Sequence, residues 1–483
     1  MSAAAALAVA FALAGCGSTT YSYGRKLPPS GLTNRVMIAI QNPSTLSKGA
    51  LSIVDAYYDT RSSHDGKTYS FSVSGYAGNL PSSIQNMPEE QLGAVYGSGD
   101  GSLTMVNYQT EATSGSISGL EGTATSIAIT RDEKYVFAAN QTYHVLTIID
   151  QSGTNSGDYY LSLPGVSKVS VNHGGTAALV FVQNSNYAYY PVKLTTGETA
   201  TAAKGTAYWP KAAVDCEPQS TPVWCLLQAQ SGNVDSYGLN YGTALTFDRP
   251  VKALFSSDGG SAYVLSCGPE CGGTYSGLSV LPVAPILFPA GSASGSLTAT
   301  TAPSTNFVKV VGGASNALIS GTTMYTVGQE LMTDGYWGGQ LSILDLSSGT
   351  PTLSKQVAIS DGSPGYTSRM VLADDNTLWI GMQQCTYGER YNNQSTYTQG
   401  YGCLTMFNTS SKTVTKIESY LGDATGIAAV TGLNKVYAAV GGQVYIYSTT
   451  DGTSIDNEYV AVTGTAVDVA FMDGTSDSNN TVY

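Results

Sequence analysis

From residue 126 to residue 150 the chain reads SIAITRDEKYVFAANQTYHVLTIID. Apolar runs at 127–130, 135–139 and 145–149 are separated by short polar breaks, and a weaker fourth run follows in DYYLSLPG. Runs this short are strand-sized, and nearly continuous apolar character predicts sheets covered on both faces. The same layout recurs in KALFSSDGGSAYVLSC with LSVLPV, in RMVLADDNTLWIGMQ with CLTMFN, and in GIAAVTGLNKVYAAVGGQVYIYS. Nine central hairpins can be counted, beginning near residues 36, 93, 135, 178, 223, 262, 324, 378 and 436. Four short strands per unit, repeated at this interval, predict the blades of a single all-β propeller. Nine exceeds the usual blade number. Either one hairpin, 223–239, is an insertion in a blade, or the ring is unusually large; the expectation is seven to nine blades.

The ends fit a closed ring. No first strand precedes the hairpin at Arg35, while AVDVAFMDG near the C-terminus is a first strand without its hairpin. A ring that borrows it completes the first blade and removes exposed edges. The final NNTVY also reads as the start of a further second strand.

The unit at 126–150 resembles the surface-layer YVTN repeat of YncE-like propellers: an apolar strand, a Ser-Pro-Asp-Gly-Lys turn, Tyr-Val-Ala-Asn, then Val-Ser-Val-Ile-Asp. Arg131-Asp132-Glu133-Lys134 departs from the turn, and Phe137-Ala138-Ala139-Asn140 stands in for Val-Ala-Asn. SSDGGSAYV and LNKVYAAV match in part, and the other units share only the layout. The resemblance implies a propeller and says little about activity, because one frame hosts binding, lactonase-like and scaffold roles.

The N-terminus bears on compartment. Residues 3–14 form an apolar run of signal-peptide length, ending in Leu13-Ala14-Gly15-Cys16. This resembles a bacterial lipobox, which implies acylation at Cys16, although no Lys or Arg precedes the run. The expected organisation is a signal peptide (1–15), a lipidated Gly/Ser/Pro tether (16–33) and a propeller (34–483). Membrane association is then by the lipid anchor alone, at the bacterial cell envelope. In an oxidising space cysteines usually pair. Setting Cys16 aside, six of the seven cysteines remain. Proximity couples Cys216 with Cys225, Cys267 with Cys271, and Cys385 with Cys403, although six cysteines allow fifteen connectivities. On this layout Cys216 and Cys225 would bracket a first-to-second strand turn, whereas the other two couples fall between second and third strands. No Cys motif has zinc-ligand spacing, so no metal is expected.

Charge removes one class of partner. With 34 acidic and 21 basic residues the net charge is −13, which argues against nucleic acid. Charged residues are only 11% of the chain, while Gly (55) and Tyr (33) abound, as suits an all-β extracellular surface.

Local motifs for catalysis are missing from the sequence: there is no G-x-S-x-G, H-E-x-x-H or P-loop, and no cofactor is expected. His64, His144 and His173 fall in polar turns, where a solvated role is the ordinary one. Two long loops join second to third strands, at 330–340 and 385–403, and emerge on the face that also carries the inter-blade loop 361–369. Together they offer Tyr336, Trp337, Tyr366, Arg369, Tyr387, Arg390, Tyr391, Tyr397 and Tyr401. Aromatics mixed with Arg, Asn and Gln suit stacking on sugars or gripping a protein; mutual packing of these tyrosines to order their own loops is the competing reading. The expectation is a non-catalytic binding or scaffold propeller for an envelope protein or glycan. The alternative is a lactonase-like or glycan-cleaving hydrolase with its site in the central channel. Charged groups converging at the channel mouth would favour the enzyme, and a ring of Ser, Gly and Ala there the scaffold.

Overall fold

The structure is a computed structural model. It describes residues 24–476 except 45–46, 121–122, 154–155, 195–208, 218–222, 290–291, 298–306, 334–336, 361–365, 384–401 and 420. The unit at 126–150 forms Ser126–Ile129, Tyr135–Asn140 and Val145–Asp150, and Gly157–Ser162 completes the sheet as its outer strand. Eight such antiparallel sheets follow one another, so the chain is an eight-bladed β-propeller. Six blades have four strands each.

The first strand of each blade faces the central channel, and successive first strands adjoin around the ring. In blade order these strands are Thr465–Phe471, Pro81–Met87, Ser126–Ile129, Val166–Val171, Pro250–Phe255, Asn316–Ser320, Tyr366–Ala373 and Ala424–Val430. The C-terminal strand is therefore the innermost strand of the first blade. It pairs with Arg35–Gln41, which pairs in turn with Ala50–Asp55. Backbone bonds from the Ile53 N–H to the Phe71 carbonyl and from the Val73 N–H to the Leu51 carbonyl add to that blade's outer edge.

The core is divided into eight apolar clusters, one in each gap between neighbouring blades. Strand Arg35–Gln41 shows why its sequence, VMIAI, is apolar throughout. Val36, Ile38 and Ile40 pack toward the eighth blade, whereas Met37 and Ala39 pack toward the second. Side chains alternate across a strand, and here both sides are interior. Burying each large aliphatic side chain contributes roughly 1.5–3 kcal/mol.

Closure is reinforced by a buried ion cluster. Arg35, 1% exposed, donates from Nη2 to Asp473 Oδ1 at 2.6 Å and from Nη1 to Glu111 Oε1 at 3.0 Å. Its Nη1 also reaches the Tyr108 carbonyl at 2.6 Å. The C-terminal segment, the first hairpin and the second blade are thus tied at one guanidinium. Ser30, ahead of the first strand, docks on the same cluster, donating from its backbone N–H to Glu111 at 2.8 Å.

The hairpin expected at 223–239 does not form a blade of its own. Val223–Gln228 pairs with Ala188–Leu194 and becomes the fourth strand of blade four, and Ala213–Cys216 adds a fifth. Trp224 explains this placement. Its indole is fully buried between blades three and four, 5.7 Å from the ring of Phe288 and 5.7 Å from that of Tyr135. Its Nε1 donates to Asp150 at 3.1 Å. The chain then forms a separate small hairpin, Gln230–Val234 with Asn240–Ala244. The Cys216–Cys225 disulfide consequently lies on the outer edge of blade four, and not at a first-to-second strand turn.

Candidate functional site at the channel mouth

In several blades the first strand carries a β-bulge near its start. The register shifts between Pro81 and Ser83, Val166 and Lys168, Pro250 and Lys252, Thr367 and Arg369, and Ala424 and Gly426. In the first blade the shift lies between the partners of Ala466 and Asp468. A bulge inserts one residue and re-aims the next side chain. The post-bulge residue faces the end of the second strand: Lys168 pairs with Phe181, Lys252 with Leu265 and Arg369 with Gly381. Ser126 and Asn316 occupy the matching positions in their blades. One level of the channel is therefore lined, in blade order, by Asp468, Ser83, Ser126, Lys168, Lys252, Asn316, Arg369 and Gly426.

This level lies at the end of the channel where second-to-third strand loops begin. Leu265, opposite Lys252, is two residues before the disulfide-bonded Cys267. Gly381, opposite Arg369, is two residues before Gln383, the end of its strand. The channel mouth thus opens on the side where second strands hand over to third strands.

Three cations and one carboxylate converge there. The Arg369 guanidinium pairs with Asp468 Oδ2, although the two residues come from blades seven and one. Asp468, with a side chain 3% exposed, also accepts the backbone N–H of Ile84 at 2.8 Å and that of Val469 at 2.9 Å. Burial pushes its carboxyl up, while Arg369 and these backbone donors pull it down. Lys252 donates from Nζ to Asn316 Oδ1 at 2.7 Å. Burial, then the charges of Lys168 and Arg369, push its ammonium down to about 7. Lys168 is lowered by burial and by Arg369. These groups come from blades four, five and seven, and their mutual repulsion agrees with the strand register in bringing them to one level of the channel.

The wall beside the mouth is rigid. Cys267 and Cys271 are joined across the short 3-10 turn Gly268–Cys271. Gly268 takes φ +60°, and a Cβ there would lie 2.5 Å from the Ser276 nitrogen. Within this turn Glu270 is driven into the next blade, where its Oε2 accepts the Gln329 N–H at 3.0 Å. Burial pushes its carboxyl up to about 7. Cys403, where the third strand of blade seven begins, is also disulfide-bonded. Its expected partner Cys385 lies outside the described residues. Disulfide bonds belong to oxidising compartments, so this is an extracytoplasmic fold.

The structure distributes the predicted aromatic face unevenly. Arg369 is in the channel. Trp337 opens strand Trp337–Asp345, half-buried and paired with Leu331. Tyr366 opens the first strand of blade seven, its backbone paired with Gln383. Tyr336, Tyr387, Arg390, Tyr391, Tyr397 and Tyr401 lie outside the described residues, as does Cys16. The histidines are elsewhere: His64 stacks on Tyr58, His144 accepts from the Gly165 N–H, and His173 meets Arg131. Among the described residues, no group of three or more His, Cys, Asp and Glu comes together.

Sequence reasoning missed Lys168, Lys252 and Asp468. A signal was present. Each sits at the start of a first strand before an apolar residue, in VSKVSV, PVKALF and AVDVAF, and Arg369 does the same in TSRMVL.

No protein-family model matches the chain. No curated protein matches it either. Solved structures do match. A dihydro-heme d1 dehydrogenase, NirN, solved in complex with DHE, aligns at a TM-score of 0.50 with 11% identity, over 94% of this chain and 77% of that one. A putative 6-phosphogluconolactonase from Bacteroides fragilis aligns at 0.49 with 11% identity, over 91% and 98%. A periplasmic gluconolactonase of Pseudomonas aeruginosa aligns at 0.47 with 14% identity, over 91% and 98%. The likeness is one of fold. At such identity it carries no activity across.

Proposed function

We propose that this protein is an exported binding propeller of the bacterial cell envelope, tethered through a lipid on Cys16, which takes its ligand at the channel mouth. The observation that carries the reading is the convergence of Lys168, Lys252, Arg369 and Asp468 from four blades at one level. A pure scaffold has no need of charges in its channel, since burying them costs stability. The disulfide-fixed loop at Cys267–Cys271 gives the site a firm rim, and a protein or glycan is the partner class that its aromatic-rich sequence neighbours suit.

A hydrolase at the same site is the second reading, and Lys252 is what favours it. An amine lowered to about 7 is neutral often enough to accept a proton.

Immobilised full-length protein should capture a partner from a detergent-solubilised envelope fraction. Capture should be lost on replacing Trp337 and Tyr391 with Ala and weakened by Arg369→Gln. Unchanged capture by both variants contradicts the proposal, and turnover of lactone or glycan substrates that is lost in Lys252→Met would favour the hydrolase.

A further inference from the structure

The chain as a whole is acidic, at −13, yet among the described residues its channel mouth holds three cations against one carboxylate. A narrow space lined by one sign of charge with apolar walls focuses potential and concentrates counter-ions. Among the described residues the pairing pattern leaves that charge uncompensated. Asp468 is taken by Arg369 and by two backbone N–H groups. Lys252 has a neutral amide, Asn316, as its acceptor. Lys168 has no hydrogen-bond acceptor among the described residues. Arg369 spends one donor on Asp468 and carries five. Ser83 and Ser126 line the same level with hydroxyl groups, although Ser126 Oγ also accepts the Val169 N–H.

We propose that Lys168, Lys252 and Arg369 form a binding site for a small oxyanion, a carboxylate or phosphate group, in the channel mouth. The inference rests on the reading that this mouth is a ligand site and specifies its chemistry. An anion placed among the three cations gives each a charged acceptor and relieves their mutual repulsion. Charge-assisted hydrogen bonds of this kind are the strong ones. The ligand group would be acidic and compact, presented as the tip of a larger molecule or as a free metabolite.

Proton linkage follows from the groups that surround Lys252: Lys168 from blade four, Asn316 from blade six, Arg369 from blade seven and, beyond Arg369, Asp468 from blade one. An arriving anion favours the charged ammonium, so binding draws protons from solution. Affinity falls as pH rises above 7.

Calorimetric titration of the full chain with sodium phosphate and with sodium succinate, at constant ionic strength held by chloride, tests this. Saturable binding is expected for at least one of them. Repeating it at pH 8 in two buffers of different ionisation enthalpy should reveal proton uptake. The double variant Lys168→Met with Lys252→Met should bind about tenfold more weakly or worse, with its unfolding midpoint recorded to show that it is folded. Absence of saturable binding, proton release on binding, or equal affinity in a folded double variant would each overturn the proposal. The proton count uses wild-type protein, so it stands even if the double variant fails to fold. Loss of the anion site with Trp337-dependent envelope capture intact would refute this inference alone; anion binding without any capture would refute only the envelope-partner reading.

Discussion

Arg369 of the seventh blade pairs with Asp468 of the first, and the blade between them contributes only a glycine at that level. A Cβ on Gly426 would lie 2.3 Å from Asp468 Oδ1 and 2.7 Å from the Asp468 Cα. The second distance is to backbone, so a side-chain shift cannot relieve it. The ion pair across the ring thus depends on the missing side chain of a third residue.

Gly426→Ala is therefore expected to destabilise the propeller by about 1–3 kcal/mol or more. Gly115→Ala is its control, because no atom lies within 4 Å of a Cβ there. Urea unfolding of both variants measures the difference. Equal stability of the two would show that the blades move freely past one another at the channel.

Ring closure should hinge on Arg35. Asp473→Ala leaves this guanidinium buried with Glu111 and the Tyr108 carbonyl but without its bidentate partner. Breaking a buried pair from one side costs roughly 3–5 kcal/mol. The unfolding midpoint in urea should fall accordingly, and proteolysis should open the chain first near residues 465–476.

The turn that bears Glu270 gives a pH signature. Its folded-state carboxyl is raised to about 7 from an ordinary 4.5. The native protein therefore holds this proton more tightly than the unfolded chain. That contribution is fully present below about pH 4.5 and is lost as pH rises through 7. Glu270→Gln keeps an acceptor for the Gln329 N–H and removes the titration. Thermal melts between pH 4.5 and 8 should show a smaller fall for the variant than for the wild type, with the variant the more stable at pH 8. Parallel melting curves would place Glu270 in solvent.

Iodoacetamide treatment of the denatured, unreduced protein should leave Cys216, Cys225, Cys267, Cys271 and Cys403 unlabelled. Reducing the short Cys267–Cys271 loop should cost only about 2 kcal/mol in the chain-entropy account. Labelling at Cys267 in unreduced protein would remove the rigid rim.

The architecture was legible because each blade repeats the same apolar rhythm, and because AVDVAFMDG had no local hairpin to join. Blade number was harder. VWCLLQ has the rhythm of a second strand, and only the packing of Trp224 between blades three and four makes it an outer strand. The channel site was hidden for a related reason. Its residues are single polar positions spread over several hundred residues, and no two are neighbours in sequence. They are brought to one level by bulges, which leave no signature beyond an extra residue before the charge. Arg369 entered the candidate set as part of an aromatic loop and proved to belong to the channel.

Ligand binding at the channel mouth can be read directly by a lysine footprint. Acetic anhydride at low stoichiometry, with mass-spectrometric readout, should be applied to the full chain with and without the solubilised envelope fraction. Lys67, whose side chain is 83% exposed, serves as the internal reference. With a partner bound at the channel mouth, Lys168 and Lys252 should lose reactivity while Lys67 does not. Unchanged labelling at both channel lysines, with protection confined to the outer surface, would contradict binding at the mouth.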